Sequence, residues 1–168
     1  VRDSPAVERQ PHVSTSTLRG ARAVGIVCAA LFFAPVVLSL AFPDWFLFAP
    51  YHRTYERLLG TIFGSLGIGL LLALRDPARN AGVFAVVGLT AGSLSAATIY
   101  SLVFDGAAAS HWVTTVLLLA GISVALVVTY TRLRRPHPVV VRIVIAAVAL
   151  LPVALYLHDA AYRAFVKP

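Results

Sequence analysis

Polar residues dominate positions 1–18, and beyond them apolar residues run in five long blocks separated by short polar links. The blocks cover 23–42, 55–74, 81–103, 112–131 and 139–157. Each is near the about 20 residues that an α-helix needs to cross a hydrocarbon core. The pattern predicts an all-α fold: a polytopic transmembrane helix bundle of about five spans. Residues 1–18 read as a cytoplasmic tail without a packed core, and 19–168 as a single transmembrane helical domain.

Local signals refine the blocks. Pro35 lies within the first and Pro152 deep in the fifth, and each should bend its helix. Arg142 falls in the first turn of the fifth span, where its long side chain can snorkel to the interface. Between the second and third spans, Asp76 is placed to cap and Pro77 to take the first helical position. So short a link makes those two helices antiparallel neighbours. The first block also admits a rival reading as a signal peptide, with Arg19 and Arg22 before it and Ser39-Leu40-Ala41 as a small-x-small site. Its long basic leader and its length beyond a usual signal h-region favour a span.

Composition agrees with the pattern. Of 168 residues, 59% are hydrophobic and 12% are charged, against about 25% charged in a soluble domain. Mean hydropathy is +0.84. The net charge is +7, with no basic stripe or aromatic–basic module beside it, so the arginines are read as loop anchors against anionic lipid and not as a nucleic-acid surface. Thirteen Arg against one Lys, with one Asn, one Gln and no Met, suggests a GC-rich bacterial gene. The one cysteine, Cys28, sits in an apolar run and reads as a small buried hydrophobe.

Orientation follows from the basic residues. With the N-terminus inside, Arg2, Arg9, Arg19, Arg22, Arg75, Arg79, Arg132, Arg134, Arg135 and Arg142 are inner, and Arg53, Arg57, Arg163 and Lys167 are outer. Ten against four predicts a multi-pass protein of the bacterial inner (plasma) membrane with a cytoplasmic N-terminus and an outer C-terminus. For packing, Gly60 and Gly64 on helix two, and Gly88 and Gly92 on helix three, are spaced four apart. Small residues at that spacing let backbones approach, and the expectation is that helices two and three cross at Gly64 and Gly88 or Gly92.

No P-loop, HExxH, GxSxG, CxxC or dinucleotide fingerprint occurs. No acid lies in the middle of a span, which counts against ion-coupled transport. The asymmetry is on the predicted outer side, which holds Asp44, Glu56, Asp105, Asp159, His52, His111, His158, Trp45, Trp112, Tyr51, Tyr55 and Tyr162. An aromatic belt at the headgroups accounts for much of this. The sharper reading is one outer pocket for a ligand or partner, gathered from His52, Glu56, His111, His158 and Asp159. His52 and Glu56 are four apart and would share a helix face, as would His158 and Tyr162, while Asp159 is placed to pair with Arg163. Every histidine is near a span end or in a polar segment, which disfavours haem held at mid-span. The sequence identifies neither a cofactor nor a metal site.

The stretch Tyr55-Glu-Arg-Leu-Leu-Gly-Thr-Ile-Phe-Gly-Ser-Leu-Gly-Ile-Gly-Leu-Leu-Leu-Ala-Leu-Arg-Asp-Pro-Ala-Arg79 resembles the second helix and turn of DoxX-like small polytopic bacterial membrane proteins. The resemblance covers 54–131 and rests on an Arg-x-x-Gly helix start, a glycine-rich span and an Arg-x-Pro turn. Such proteins usually have four spans, one fewer than expected here. The resemblance implies a membrane subunit sometimes linked to quinone or thiol oxidation, and it supplies no catalytic residue. The first functional expectation is a non-enzymatic accessory or structural subunit of a larger respiratory or photosynthetic membrane complex, in contact with lipid and with other membrane-protein subunits. The second is a DoxX-like redox-associated component with a site on the outer face. A channel or carrier comes third.

Overall fold

The computed structural model describes residues 13–42 and 52–165. They form five helices and no strand: α1 (Thr15–Ala41), α2 (Arg53–Ala73), α3 (Ala81–Phe104), α4 (Ala109–Leu133) and α5 (Pro138–Phe165). Each contains a stretch long and apolar enough to cross a membrane. A helix satisfies its backbone hydrogen bonds internally, which is what the hydrocarbon interior demands.

The helix bounds extend the sequence reading at both termini. α1 starts at Thr15, inside the segment expected to be a tail, because the hydroxyl-rich run there is a cap. Ser14 is extended, and its hydroxyl accepts the Thr17 amide N–H at 3.2 Å. This satisfies one of the orphan donors of the first turn. α5 continues eight residues past the predicted end of its span, to Phe165. Pro35 and Pro152 both lie inside continuous helices.

The α2–α3 link also differs. Asp76 does cap, but it caps a separate turn: its Oδ1 accepts from the Arg79 amide at 3.2 Å, and its carbonyl accepts from the Asn80 amide at 3.0 Å. Pro77 is fully buried within that turn, and α3 begins at Ala81. The turn uses up the residues that the simpler reading placed in the first turn of α3.

Helix packing is uneven. The most extensive interface joins α3 to α4, followed by α1 with α2 and α1 with α4, while α2 meets α3, and α5 meets α3, only narrowly. Gly88, Ala91, Gly92 and Ser95 share one face of α3. A Cβ on Gly88 would stand 3.1 Å from the Leu126 Cβ and 3.3 Å from the Ser123 carbonyl oxygen, and one on Gly92 would stand 2.7 Å from the Ser123 hydroxyl. The Ser95 hydroxyl donates across the interface to the Val116 carbonyl at 3.1 Å. Contacts of this kind hold helices together where lipid is as apolar as leucine.

The expected crossing of α2 and α3 at Gly64 and Gly88 or Gly92 is therefore corrected. Gly88 and Gly92 meet α4. A Cβ on Gly60 or on Gly64 would have nothing within 4 Å. The close approach on α2 is at Gly67, where a Cβ would come within 2.8 Å of the Phe33 ring of α1. Gly25 of α1 is its counterpart near the other end, pressed by Leu74 and Phe84. There the Arg22 Nε donates to the Leu74 carbonyl at 3.3 Å.

The core lies along these contacts, with Phe32, Leu70, Phe84 and Leu126 among its most buried side chains. No residue of α5 is buried. The alternation of helices collects Arg19, Arg22, Arg75, Arg79, Arg132, Arg134, Arg135 and Arg142 at one end, called here the arginine end. Arg53, Arg57 and Arg163 lie toward the opposite end.

Candidate functional site

The residues singled out from the sequence are near the end of the bundle opposite the arginines. His52 is the residue before α2. Its backbone is extended and its side chain makes no capping bond. The imidazole instead leans on the Tyr55 ring, with centroids 4.7 Å apart and planes at 46°. This departs from the expectation that His52 and Glu56 share a helix face. A residue outside the helix does not project along the helical face that a four-residue spacing implies, whereas the three-residue step to Tyr55 brings the rings together. Glu56 is half-buried in the first turn of α2. A carboxylate there complements the positive end of the helix dipole.

His158 and Asp159 are in the penultimate turns of α5. His158 is exposed and Asp159 is half-buried. Asp159 accepts a charge-assisted hydrogen bond from Arg163, as its i, i+4 spacing suggests. His111 belongs to the first turn of α4, and its side chain lies outside what is described. Asp44, Trp45 and Tyr51 also lie outside the described residues.

Among the described residues, no three His, Cys, Asp or Glu side chains come together in a group that could hold a metal ion. What the fold does assemble is a different set. At the ends of α3 and α5, Tyr100 lies within electrostatic range of Asp105, Tyr156, Asp159 and Arg163, and Arg163 lies within range of Asp105. α3 stops at Asp105 because Gly106 takes a left-handed conformation, φ +69°, and the Ala107 amide then donates back to the Ser101 carbonyl at 3.2 Å. The ring of Tyr100 tilts against Phe104, 4.6 Å between centroids. Two carboxylates, one guanidinium and two phenols make a polar corner suited to hydrogen bonding with a headgroup or a partner loop. Sequence spacing finds the Asp159–Arg163 pair and places Tyr156 one turn before it on α5, but Tyr100 and Asp105 are brought to it only by the packing of α5 on α3.

No protein-family model, no curated protein and no solved structure matches the chain.

Proposed function

We propose that this integral membrane protein is a non-enzymatic accessory or structural subunit of a larger respiratory or photosynthetic complex in a bacterial plasma membrane. The observation that carries the reading is α5. It is a 28-residue apolar helix with no buried residue. Its less exposed positions, Val144, Leu151, Leu155 and Asp159, form one stripe at helical spacing. The rest of its surface is open, including Ile143, Ile145, Leu150, Leu157 and Phe165. A subunit that contributes one helix to a neighbour's surface has this form. The arginine end faces the cytoplasm in this reading, so the N-terminus is inside and the C-terminus outside.

The test is purification of the native protein in mild detergent. Other membrane subunits should accompany it in fixed stoichiometry, and replacing Ile145 and Leu150 by Ala should release them while the chain stays inserted. A chain that always migrates alone rules the reading out. Reporter fusions after Asn80 and after His137 should report cytoplasm, and a fusion at the C-terminus should report the outside.

The corner formed by Tyr100, Asp105, Asp159 and Arg163 favours a second reading, a DoxX-like redox-associated component acting at the outer face. An absorption spectrum of the purified protein separates the two: a quinone or pigment band supports the second, and its absence with stoichiometric partners supports the first.

A further inference from the structure

The arginine end opens into a cleft between α1 and α4. Its mouth encloses about 300 Å³ and is lined by Ser16, Thr17 and Gly20 of α1 and by Thr129 and Arg132 of α4. Arg132 is its one charged lining residue, and no ion pair of Arg132 occurs among the described residues. The Thr129 hydroxyl donates to the Ala125 carbonyl at 2.7 Å, which leaves its oxygen free to accept. The Ser16 and Thr17 hydroxyls both meet Ser14, at 2.9 and 2.8 Å, and the positive end of the α1 dipole adds to the field there.

Directly beyond the mouth lies a second compartment of about 410 Å³, between Val27, Cys28 and Leu31 of α1 and Leu118, Gly121 and Ile122 of α4. Val24 lines both, so the two adjoin along the seam between α1 and α4. The lining of the second is almost wholly apolar. No Asp or Glu lines either one.

The dimensions and the sequence of chemistries identify the occupant. From Ser16 to Leu31 is about 22 Å along a helix at roughly 1.5 Å per residue. Half of a bilayer, headgroups included, is also about 20–22 Å. A mouth with one guanidinium and several hydroxyls, beside an open apolar groove that completes one leaflet's depth, has the polarity profile of a single phospholipid.

We propose that the α1–α4 cleft binds one anionic glycerophospholipid, its phosphate beside Arg132 and one acyl chain between Cys28 and Ile122. Basic pockets between membrane helices recognise such headgroups by charge. The site does not depend on the accessory role proposed above. It requires only that the bundle lie in a bilayer.

The test is native mass spectrometry of the full chain, purified in mild detergent and offered phosphatidylglycerol or phosphatidylcholine. The wild type should retain one phosphatidylglycerol, in preference to phosphatidylcholine by about five-fold, the scale of one basic residue near a lipid surface. Arg132→Gln, at an exposed position, should abolish the preference while retaining both lipids weakly. Gly121→Leu should displace both. A Cβ at Gly121 meets nothing within 4 Å, so the substitution starts from open space and directs its side chain into the groove that Gly121 lines. Gly64→Leu, on open α2 surface, should change neither. Three results overturn the proposal. Equal binding of both lipids, with inorganic phosphate displacing neither, marks bulk detergent-like adhesion. Inorganic phosphate held at the mouth, with lipid retention unaffected by Gly121→Leu, marks an anion site only. A dimer split by Gly121→Leu with the lipid count unchanged marks a contact between copies.

Discussion

The α3–α4 hairpin and α5 are both apolar enough to span a membrane, yet the bundle treats them in opposite ways. α3 buries Ala81, Phe84, Val87, Gly88, Ala91 and Ser95, and α5 buries nothing. Hydropathy does not explain this, since α5 is the more hydropathic of the two. The difference is in side-chain size and polarity. α3 carries three glycines and five Ser or Thr residues, and α5 has none of either kind. In water, an apolar face is driven onto another apolar face. In lipid that drive is absent, and close backbone approach with interhelical hydrogen bonding decides which helices associate. α3 has the residues for both, whereas α5, whose small residues are all alanine, lacks glycine for the closest approach and lacks a Ser or Thr hydroxyl to donate across an interface.

Phe84 is the strongest place to break this comparison. It is 0% exposed and reaches Gly25 of α1 from α3. Phe84→Ala should destabilise the purified chain by about 3 kcal/mol, the low end of the range for buried phenylalanine because the ring leaves an apolar phase in either state. Leu150→Ala on α5, where the residue is 61% exposed, should leave the thermal midpoint in detergent unchanged. Equal losses from the two substitutions would mean that α5 is held as firmly as α3.

A second break is at the glycines. Gly88→Leu drives a side chain toward the Ser123 carbonyl and the Leu126 Cβ, and backbone cannot yield as a flexible side chain can. It should cost about 1–3 kcal/mol. Gly64→Leu, with open space around it, should cost nothing measurable in the same thermal assay. If Gly64→Leu proves the worse of the two, then the α2 face is the occupied one.

Much of the fold was legible because membrane spans are written as long apolar runs, and the five runs correspond to the five helices. The starts and ends were less so. The Ser14 cap looks like tail in sequence, since hydroxyl residues serve both turns and helix starts. The partner of each glycine face was not legible either. Gly60-x-x-x-Gly64 and Gly88-x-x-x-Gly92 have the same spacing, but only the second is paired, and nothing local to either motif says which helix lies opposite. For the candidate site, Asp159–Arg163 could be read from an i, i+4 step within one helix. The approach of Tyr100 and Asp105 depends on where α5 docks, which is a property of the whole bundle. The cleft between α1 and α4 has the same origin: Thr17 and Thr129 are 112 positions apart in the chain and line one mouth.

A smaller effect sharpens the account of the hairpin itself. Ser95 is 3% exposed and donates from α3 to the Val116 carbonyl of α4. Ser95→Ala keeps the small size that the interface needs and deletes only the hydrogen bond. The loss should be about 0.6 kcal/mol, the mean for interhelical bonds in a membrane protein, read as a small drop in thermal midpoint. A loss as large as that of Gly88→Leu would assign the hairpin's cohesion to hydrogen bonding more than to close packing.

The smallest expected effect is at the end of α5. Asp159 and Arg163 are one turn apart on the same helix, and the Arg163 side chain is 73% exposed. Exposed pairs of this geometry gain little, because solvent screens the attraction and two long side chains lose freedom to hold it. Asp159→Asn should therefore leave thermal stability where it is, at low and at high salt. Asp159 is the one charged residue on the half-buried stripe with Val144, Leu151 and Leu155, and it acts electrostatically on Tyr100 of α3. If the α3–α5 contact is as weak as its limited burial implies, removing this charge does nothing to the isolated chain. A clear drop in the midpoint that salt abolishes would show the opposite, namely that charge at the polar corner fixes α5 to α3 where packing does not. In that case α5 belongs to the bundle on the same footing as the hairpin, held by electrostatics in place of small residues.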